Sequence, residues 1–123
     1  MDFTFNEEQT LIQDQVDQFI QKEYDWETRQ SLSNSELGFG DNNWQKFAEL
    51  GWLGISTSED NGGFGGSAIE SMLIMEAFGK GLVVEPFLET IIMSGGLIDE
   101  HGSDQQKSSI LEPTYEPSDS TIA

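Results

Sequence analysis

Trp44 to Gly66 reads WQKFAELGWLGISTSEDNGGFGG, and the fold turns on how this stretch is read. Trp44, Phe47, Ala48 and Leu50 recur at helical spacing, and Asp41 or Asn42 supplies a side-chain oxygen that can cap the start of that helix. Gly51 falls at the position just past the helix end, where a left-handed conformation is cheap only for glycine. Trp52, Leu53 and Ile55 follow at once; they are too apolar for a solvated loop, so a buried turn is expected. The glycines beyond them invite a second reading. Gly63-x-Gly65-x-x-Ala68 formally matches the degenerate dinucleotide fingerprint, which requires a buried strand in front of it and a parallel sheet around it. The preceding STSEDN is polar, and β-α-β alternation is found nowhere in the chain. The glycines are therefore expected to make a tight turn at positive φ and to let the next helix start close to its neighbour.

Helical patterns flank this stretch. On the N-terminal side, Asn6 and Gln9 have the spacing of a capping box, with Glu7 and Glu8 in the first turn, where the helix dipole favours negative charge. Leu11, Ile12, Val16, Phe19 and Ile20 then form one apolar stripe, predicting a helix from about Glu7 to Tyr24. Asp25 to Gly40, with its serines and glycines, reads as a loop. On the C-terminal side, Ser67 and Glu70 make a second capping box for a central helix carrying Ile69, Met72, Leu73, Ile74, Met75 and Phe78, which Gly79 and Gly81 end, while Glu70 and Glu76 face out. Glu85-Pro86 opens another helix with proline in its first turn, interrupted by Gly95 and Gly96 and stopped by Gly102. Ser103 and Gln106 form a third capping box before a short helix through Ile110 and Leu111. From Pro113 the segment ending TYEPSDSTIA reads as an extended tail or linker. The fold class expected is all-α: an irregular or orthogonal bundle of about five helices over residues 1–112, with 113–123 as tail.

Composition narrows the chemistry. The 123 residues suit one domain. Cysteine is absent, which removes disulfides and thiolate chemistry, and His101 is the single histidine; no metal site is expected from so few ligands. Five Lys and Arg against 23 Asp and Glu give a net charge of -18, which disfavours contact with nucleic acid or an anionic membrane surface. The acidic residues are spread along the chain, as on a solvated surface, and do not form the single run of a DNA mimic. The N-terminus, MDFTFNEEQ, lacks a basic and an apolar signal region, and no apolar run reaches membrane-spanning length, so a cytoplasmic location is expected.

Three segments carry a family resemblance. The opening MDFTFNEEQTLIQDQVDQFI, the stretch WQKFAELGWLGISTSEDNGGFGG and GSDQQKSSIL resemble, in order and spacing, the first helix, the second helix with its glycine loop, and the start of the last helix of the N-terminal helical domain of acyl-CoA dehydrogenases. Together they cover nearly the whole chain. The resemblance implies an enzyme of fatty-acid metabolism with three parts, of which this is the first, followed by a β domain and a C-terminal helical bundle. It implies non-covalent FAD, a glutamate that takes the acyl α-proton, and transfer of the β-hydrogen as hydride to the flavin. Thr121, Ile122 and Ala123 would lie at the first strand of the middle domain. The base and most flavin contacts belong to the parts that follow, so no catalytic or cofactor-binding residue is expected here, and the chain by itself is expected neither to hold FAD nor to dehydrogenate.

What the resemblance does assign to this segment is part of the acyl-chain pocket. By position from the Gly102–Lys107 motif, Phe87, Leu88, Glu89, Ile91 and Ile92 would line it. Four of the five are apolar, as an acyl wall needs. For Glu89 two readings stand: an ordinary solvent-facing glutamate, or a polar group at the tunnel floor. The implied partners are an acyl-CoA substrate, the β and C-terminal helical domains or a partner subunit, and other copies of the chain in a homo-oligomer. The alternative is a stand-alone, non-catalytic helical subunit or interaction module. In either case the central helix and the Pro86 helix should carry apolar residues with no cover in this chain, which would favour association.

Overall fold

The computed structural model describes residues 2–117. It is built from helices, and no strand occurs among the described residues. In order these are α1 (Glu7–Glu23), α2 (Trp26–Ser33), α3 (Asp41–Glu49), a 3-10 turn (Glu59–Asn61), α4 (Ala68–Gly81), a π-helical segment (Leu88–Gly95) running straight into α5 (Gly96–His101), then α6 (Asp104–Gln106), a second π-helical segment (Lys107–Leu111) and α7 (Glu112–Tyr115).

All three capping boxes form. Asn6, Ser67 and Ser103 each accept a backbone N–H from the first turn, and Gln9, Glu70 and Gln106 reach back to the cap residue's own N–H. The cap of α3 differs from expectation. Gly40, not Asp41 or Asn42, occupies the N-cap, and no side chain caps the helix; Asp41 is its first residue, where its charge suits the dipole. The far end of α3 closes as expected. Gly51 takes φ 81, its N–H donates to Ala48 O, and Trp52 N–H donates to Phe47 O, the paired bonds of a Schellman stop.

Two expected non-helical stretches are in fact partly helical. The Asp25–Gly40 region holds α2, which the Asp25 carboxyl caps by accepting Thr28 N–H at 2.8 Å. α2 buries no residue, so it leaves no apolar stripe in the sequence. The expected tail from Pro113 also begins in a helix. Pro113 sits in the first turn of α7, where a missing N–H does no harm, and Thr114 and Tyr115 are buried. Tyr115 Oη accepts a hydrogen bond from Thr57 Oγ1 at 2.7 Å, which ties this end to the turn before the glycines. The rest of the expected tail, from Ser118 on, lies outside the described residues.

The core is aromatic. Phe19 of α1, Trp44 and Phe47 of α3, Trp52 of the buried turn, Phe78 of α4 and Phe87 pack with ring centroids 5.1–6.4 Å apart, mostly tilted or edge-on as ring quadrupoles prefer. Trp44, Phe47, Trp52 and Leu53 are essentially inaccessible; burying each such side chain stabilises the fold by roughly 1.5–3 kcal/mol. Trp52 Nε1 is not left orphaned, because it donates to Gln15 Oε1 at 2.8 Å. α1 lies against α4. Gly81 lets them approach, since a Cβ there would come within 2.9 Å of Ile20 Cγ2.

Candidate functional site

The glycine-rich loop can be judged on where its N–H groups point. Gly62 and Gly65 take φ 89 and 72. The N–H groups of Gly62, Gly63, Phe64, Gly65 and Gly66 donate to the carbonyls of Glu59, Ser58, Gly54, Thr57 and Ile55 respectively, at 2.8–3.2 Å. A phosphate cradle needs such groups free and convergent; here each is engaged by the chain itself. Close approach explains two of the glycines: a Cβ on Gly63 would lie 2.2 Å from Thr57 O and one on Gly66 2.4 Å from Ile55 O. Asp99 locks the loop from the far side. It accepts from Ser58 Oγ at 2.8 Å and Asn61 Nδ2 at 2.5 Å. Partial burial pushes its pKa up, but these donors and the charge of Lys107 together outweigh that and hold the carboxyl below its ordinary 3.8. The loop is a structural clasp, and as such it does not fit the pyrophosphate of FAD.

A polar hollow of about 510 Å³ lies beside the loop, lined by Ser58, Glu59, Asp60 and Asp99, whose carboxylates would repel a phosphate; an apolar cavity lies at the other end of α4. Between α4 and the π-helical segment lies a cavity of about 390 Å³, bordered by Met75, Gly79, Leu82, Phe87, Leu88 and Glu89. Phe87 is its buried floor, 1% exposed and edge-on to Phe78, while Leu88 and Glu89 are exposed at its rim. The five expected wall residues therefore divide. Phe87, Leu88 and Glu89 border this cavity. Ile91 and Ile92 border a separate hollow of about 310 Å³ with Ser56, Thr57, Ser71 and Asp99, and Ile91 packs in the core. Glu89 is solvent-exposed at the rim of the cavity, as an ordinary solvent-facing glutamate would be, and the floor of this cavity is Phe87. Leu88–Gly95 is a π-helical segment, entered through an α-type bond from Thr90 N–H to Pro86 O at 3.1 Å.

The connector between α4 and this segment is fixed by a buried polar knot absent from the sequence reading. The Glu85 carboxyl group, 5% exposed, accepts from Tyr24 Oη at 2.8 Å and from Gly40 N–H at 2.7 Å, while Tyr24 Oη accepts Val84 N–H at 2.9 Å. Burial pushes the Tyr24 phenol well above its ordinary 10.0, and the neighbouring Glu85 adds to the shift. One carboxyl thus joins the end of α1, the loop before α3 and the cavity wall. It also explains the N-cap of α3, because Gly40's own N–H is turned toward Glu85. The signal for it was an acidic residue inside VVEPF, read only as a helix start. Nearby, Arg29 Nε donates to Leu82 O at 3.0 Å.

His101 is exposed and lies 3.5 Å from Glu100. Among the described residues no group of three or more His, Asp or Glu is placed to hold a metal ion, and no helix is long and apolar enough to cross a membrane.

A single all-α domain whose glycine loop is closed on itself, and whose one end opens as an apolar cavity beside a π-helical wall, is the class that the geometry defines. Comparison with known proteins takes this further. The profile described as "Acyl-CoA dehydrogenase, N-terminal domain" matches residues 6–116. The chain belongs to the acyl-CoA dehydrogenase family, as its N-terminal domain. It is similar to acyl-CoA dehydrogenase IpdE2 of Mycolicibacterium smegmatis, 30% identical over 94 residues that span 76% of this chain and 30% of the relative. It is also similar to the short-chain-specific acyl-CoA dehydrogenase of Clostridium acetobutylicum, 28% identical over 118 residues, 92% of this chain and 30% of the relative. In structure it resembles a chain of the ChsE4-ChsE5 complex of Mycobacterium tuberculosis, with a TM-score of 0.85 and 25% identity over 95% of this chain and 32% of that one. The chain thus spans somewhat under a third of the length of these relatives.

Proposed function

We propose that this chain serves as the N-terminal part of an FAD-dependent acyl-CoA dehydrogenase of fatty-acid metabolism, and that its contribution is one wall of the acyl-chain pocket. The observation that carries this is the apolar cavity floored by Phe87 and rimmed by Leu88 and Glu89 beside the π-helical segment. An acyl tail entering there would bury methylene groups against Met75, Phe87 and Leu88, each worth roughly 0.8 kcal/mol. Among the described residues no basic side chain borders the cavity, so the phosphates of coenzyme A would be held elsewhere. The loop Gly62–Gly66 offers no free N–H for the flavin pyrophosphate, so FAD and the catalytic base would come from other domains, and no redox step is assigned to residues of this chain. The working unit would be a cytoplasmic oligomer.

The uncovered apolar side chains also support association with other domains or subunits. Ile69 and Met72 on α4, and Leu88, Met93 and Leu97 along the next helical segment, are 42–64% exposed. A stand-alone helical subunit that pairs with another chain would use the same surface, and the relative from M. tuberculosis was solved as a complex of two named proteins.

The test is an acyl-CoA carrying a photoreactive group at the far end of its acyl chain. Irradiation with the full chain should label peptides between Met75 and Glu89. Labelling confined to other segments, or none above that of a photoreactive group on coenzyme A without an acyl chain, would remove the pocket assignment.

A further inference from the structure

Resting on that pocket assignment, we infer that Gly79 and Leu82 form a specificity-determining pair that sets how much acyl chain the cavity accepts. Neither residue is what its backbone favours. Gly79 lies in the last turn of α4, where glycine is roughly 0.5–1 kcal/mol less favourable than alanine. Among the described residues no steric reason demands it: its φ is not positive, and a Cβ there would meet none of their atoms within 4 Å. The neighbouring glycine of α4 has such a reason, since a side chain at Gly81 would strike Ile20. What the missing side chain at Gly79 leaves is open space on the cavity wall.

Leu82 departs in the opposite direction. It holds the left-handed conformation that ends α4, with φ 52, the single non-glycine residue at positive φ among those described. Its N–H donates to Gly79 O and Val83 N–H to Phe78 O, so it stands where glycine ordinarily ends a helix. Holding an L-residue there costs roughly 1–2 kcal/mol. The side chain is 53% exposed, so packing within this domain recovers only part of that cost. It projects at the border of the same cavity, and its carbonyl is pinned by Arg29. Glycine stands where a side chain would be cheap, and leucine where glycine would be cheap. Both exchanges shape one cavity, opening its wall at Gly79 and narrowing its rim at Leu82. Unfavourable backbone choices of this kind persist where a site uses them.

The experiment compares the full chain with Gly79→Ala, Leu82→Ala and Leu82→Gly, using photoreactive hexanoyl- and dodecanoyl-CoA and reading the concentration for half-maximal labelling of the Met75–Glu89 peptides, with thermal midpoints in parallel. Gly79→Ala should raise the midpoint yet weaken dodecanoyl relative to hexanoyl labelling, about fourfold for each methylene no longer buried. Leu82→Ala and Leu82→Gly should shift the ratio toward dodecanoyl-CoA, and Leu82→Gly should do so without lowering the midpoint. Identical ratios in all four proteins, with the wild type labelled in the cavity, would overturn the pair and leave the pocket. Absence of cavity labelling in the wild type would overturn both. A Gly79→Ala protein of lower midpoint would also overturn the pair, because a structural need for glycine would then explain the residue.

Discussion

Two glycine-containing turns flank α4, and they are built to opposite ends. In Gly62–Gly66 every backbone N–H is taken by a carbonyl of the preceding turn, and a Cβ on Gly63 would collide with Thr57 O at 2.2 Å. Around Gly79–Glu89 a Cβ on Gly79 would meet nothing, a leucine takes the left-handed position, and a cavity of about 390 Å³ opens beside it. The first turn resembles a ligand loop in sequence, but its N–H groups are all engaged and the hollow of about 510 Å³ beside it is lined by Glu59, Asp60 and Asp99; the second carries no motif and borders the apolar cavity. A glycine motif therefore says little until the destinations of its N–H groups are known.

The contrast predicts unequal responses to the same substitution. Gly63→Ala should have the largest effect, a loss of about 3 kcal/mol or more from overpacking against backbone that cannot give way, read as a lower urea midpoint. Glu85→Ala comes next. It leaves the Tyr24 hydroxyl and the Gly40 N–H buried without their acceptor, at about 1–3 kcal/mol for each group so stranded; Glu85→Gln should lose less, because its amide oxygen still serves one donor. Gly79→Ala should have the smallest effect on stability and the opposite sign, a gain of roughly 0.5–1 kcal/mol. Equal losses for Gly63→Ala and Gly79→Ala would break the comparison.

Titration should probe both regions, acid at the clasp and alkali at the buried tyrosines. The Asp99 carboxyl is held below its ordinary 3.8 in the fold. Its contribution is present above the unfolded carboxylate value and is lost as pH falls through the lowered native one. The 58–61 turn should lose amide protection first on acidification, and Asp99→Asn should flatten that dependence. Tyr24 and Tyr115 have raised pKa values from burial. Their contribution is complete below about pH 10 and is lost as pH rises beyond it. Alkaline unfolding should therefore begin near the unfolded tyrosine value, and Tyr24→Phe should delay it, less the loss of the Glu85 hydrogen bond at neutral pH.

Much of this fold was legible because its signals are local. Asn6/Gln9, Ser67/Glu70 and Ser103/Gln106 announce three helix starts by spacing alone, and Gly51 announces a helix stop. α2 was not legible, since it buries nothing and is marked by the Asp25 cap alone. α7 was obscured by Pro113, read as a breaker although proline is tolerated in a first turn. The proposed site was legible only in part. Phe87, Leu88 and Glu89 came from position within a family pattern, but Ile91 and Ile92 border another hollow, an outcome of tertiary packing that no periodicity displays. The Tyr24–Glu85–Gly40 knot joins residues 45 and 61 positions apart, and nothing local marks it.

The most direct test of the contrast is to titrate the isotopically labelled chain with octanoyl-CoA and follow amide and methyl resonances at both turns in one NMR experiment. The account predicts saturable shifts at Met75, Gly79, Leu82, Val83 and Leu88, with Gly63, Gly65 and Gly66 unmoved. Shifts centred on Gly62–Gly66 with the Gly79–Glu89 connector silent would contradict it.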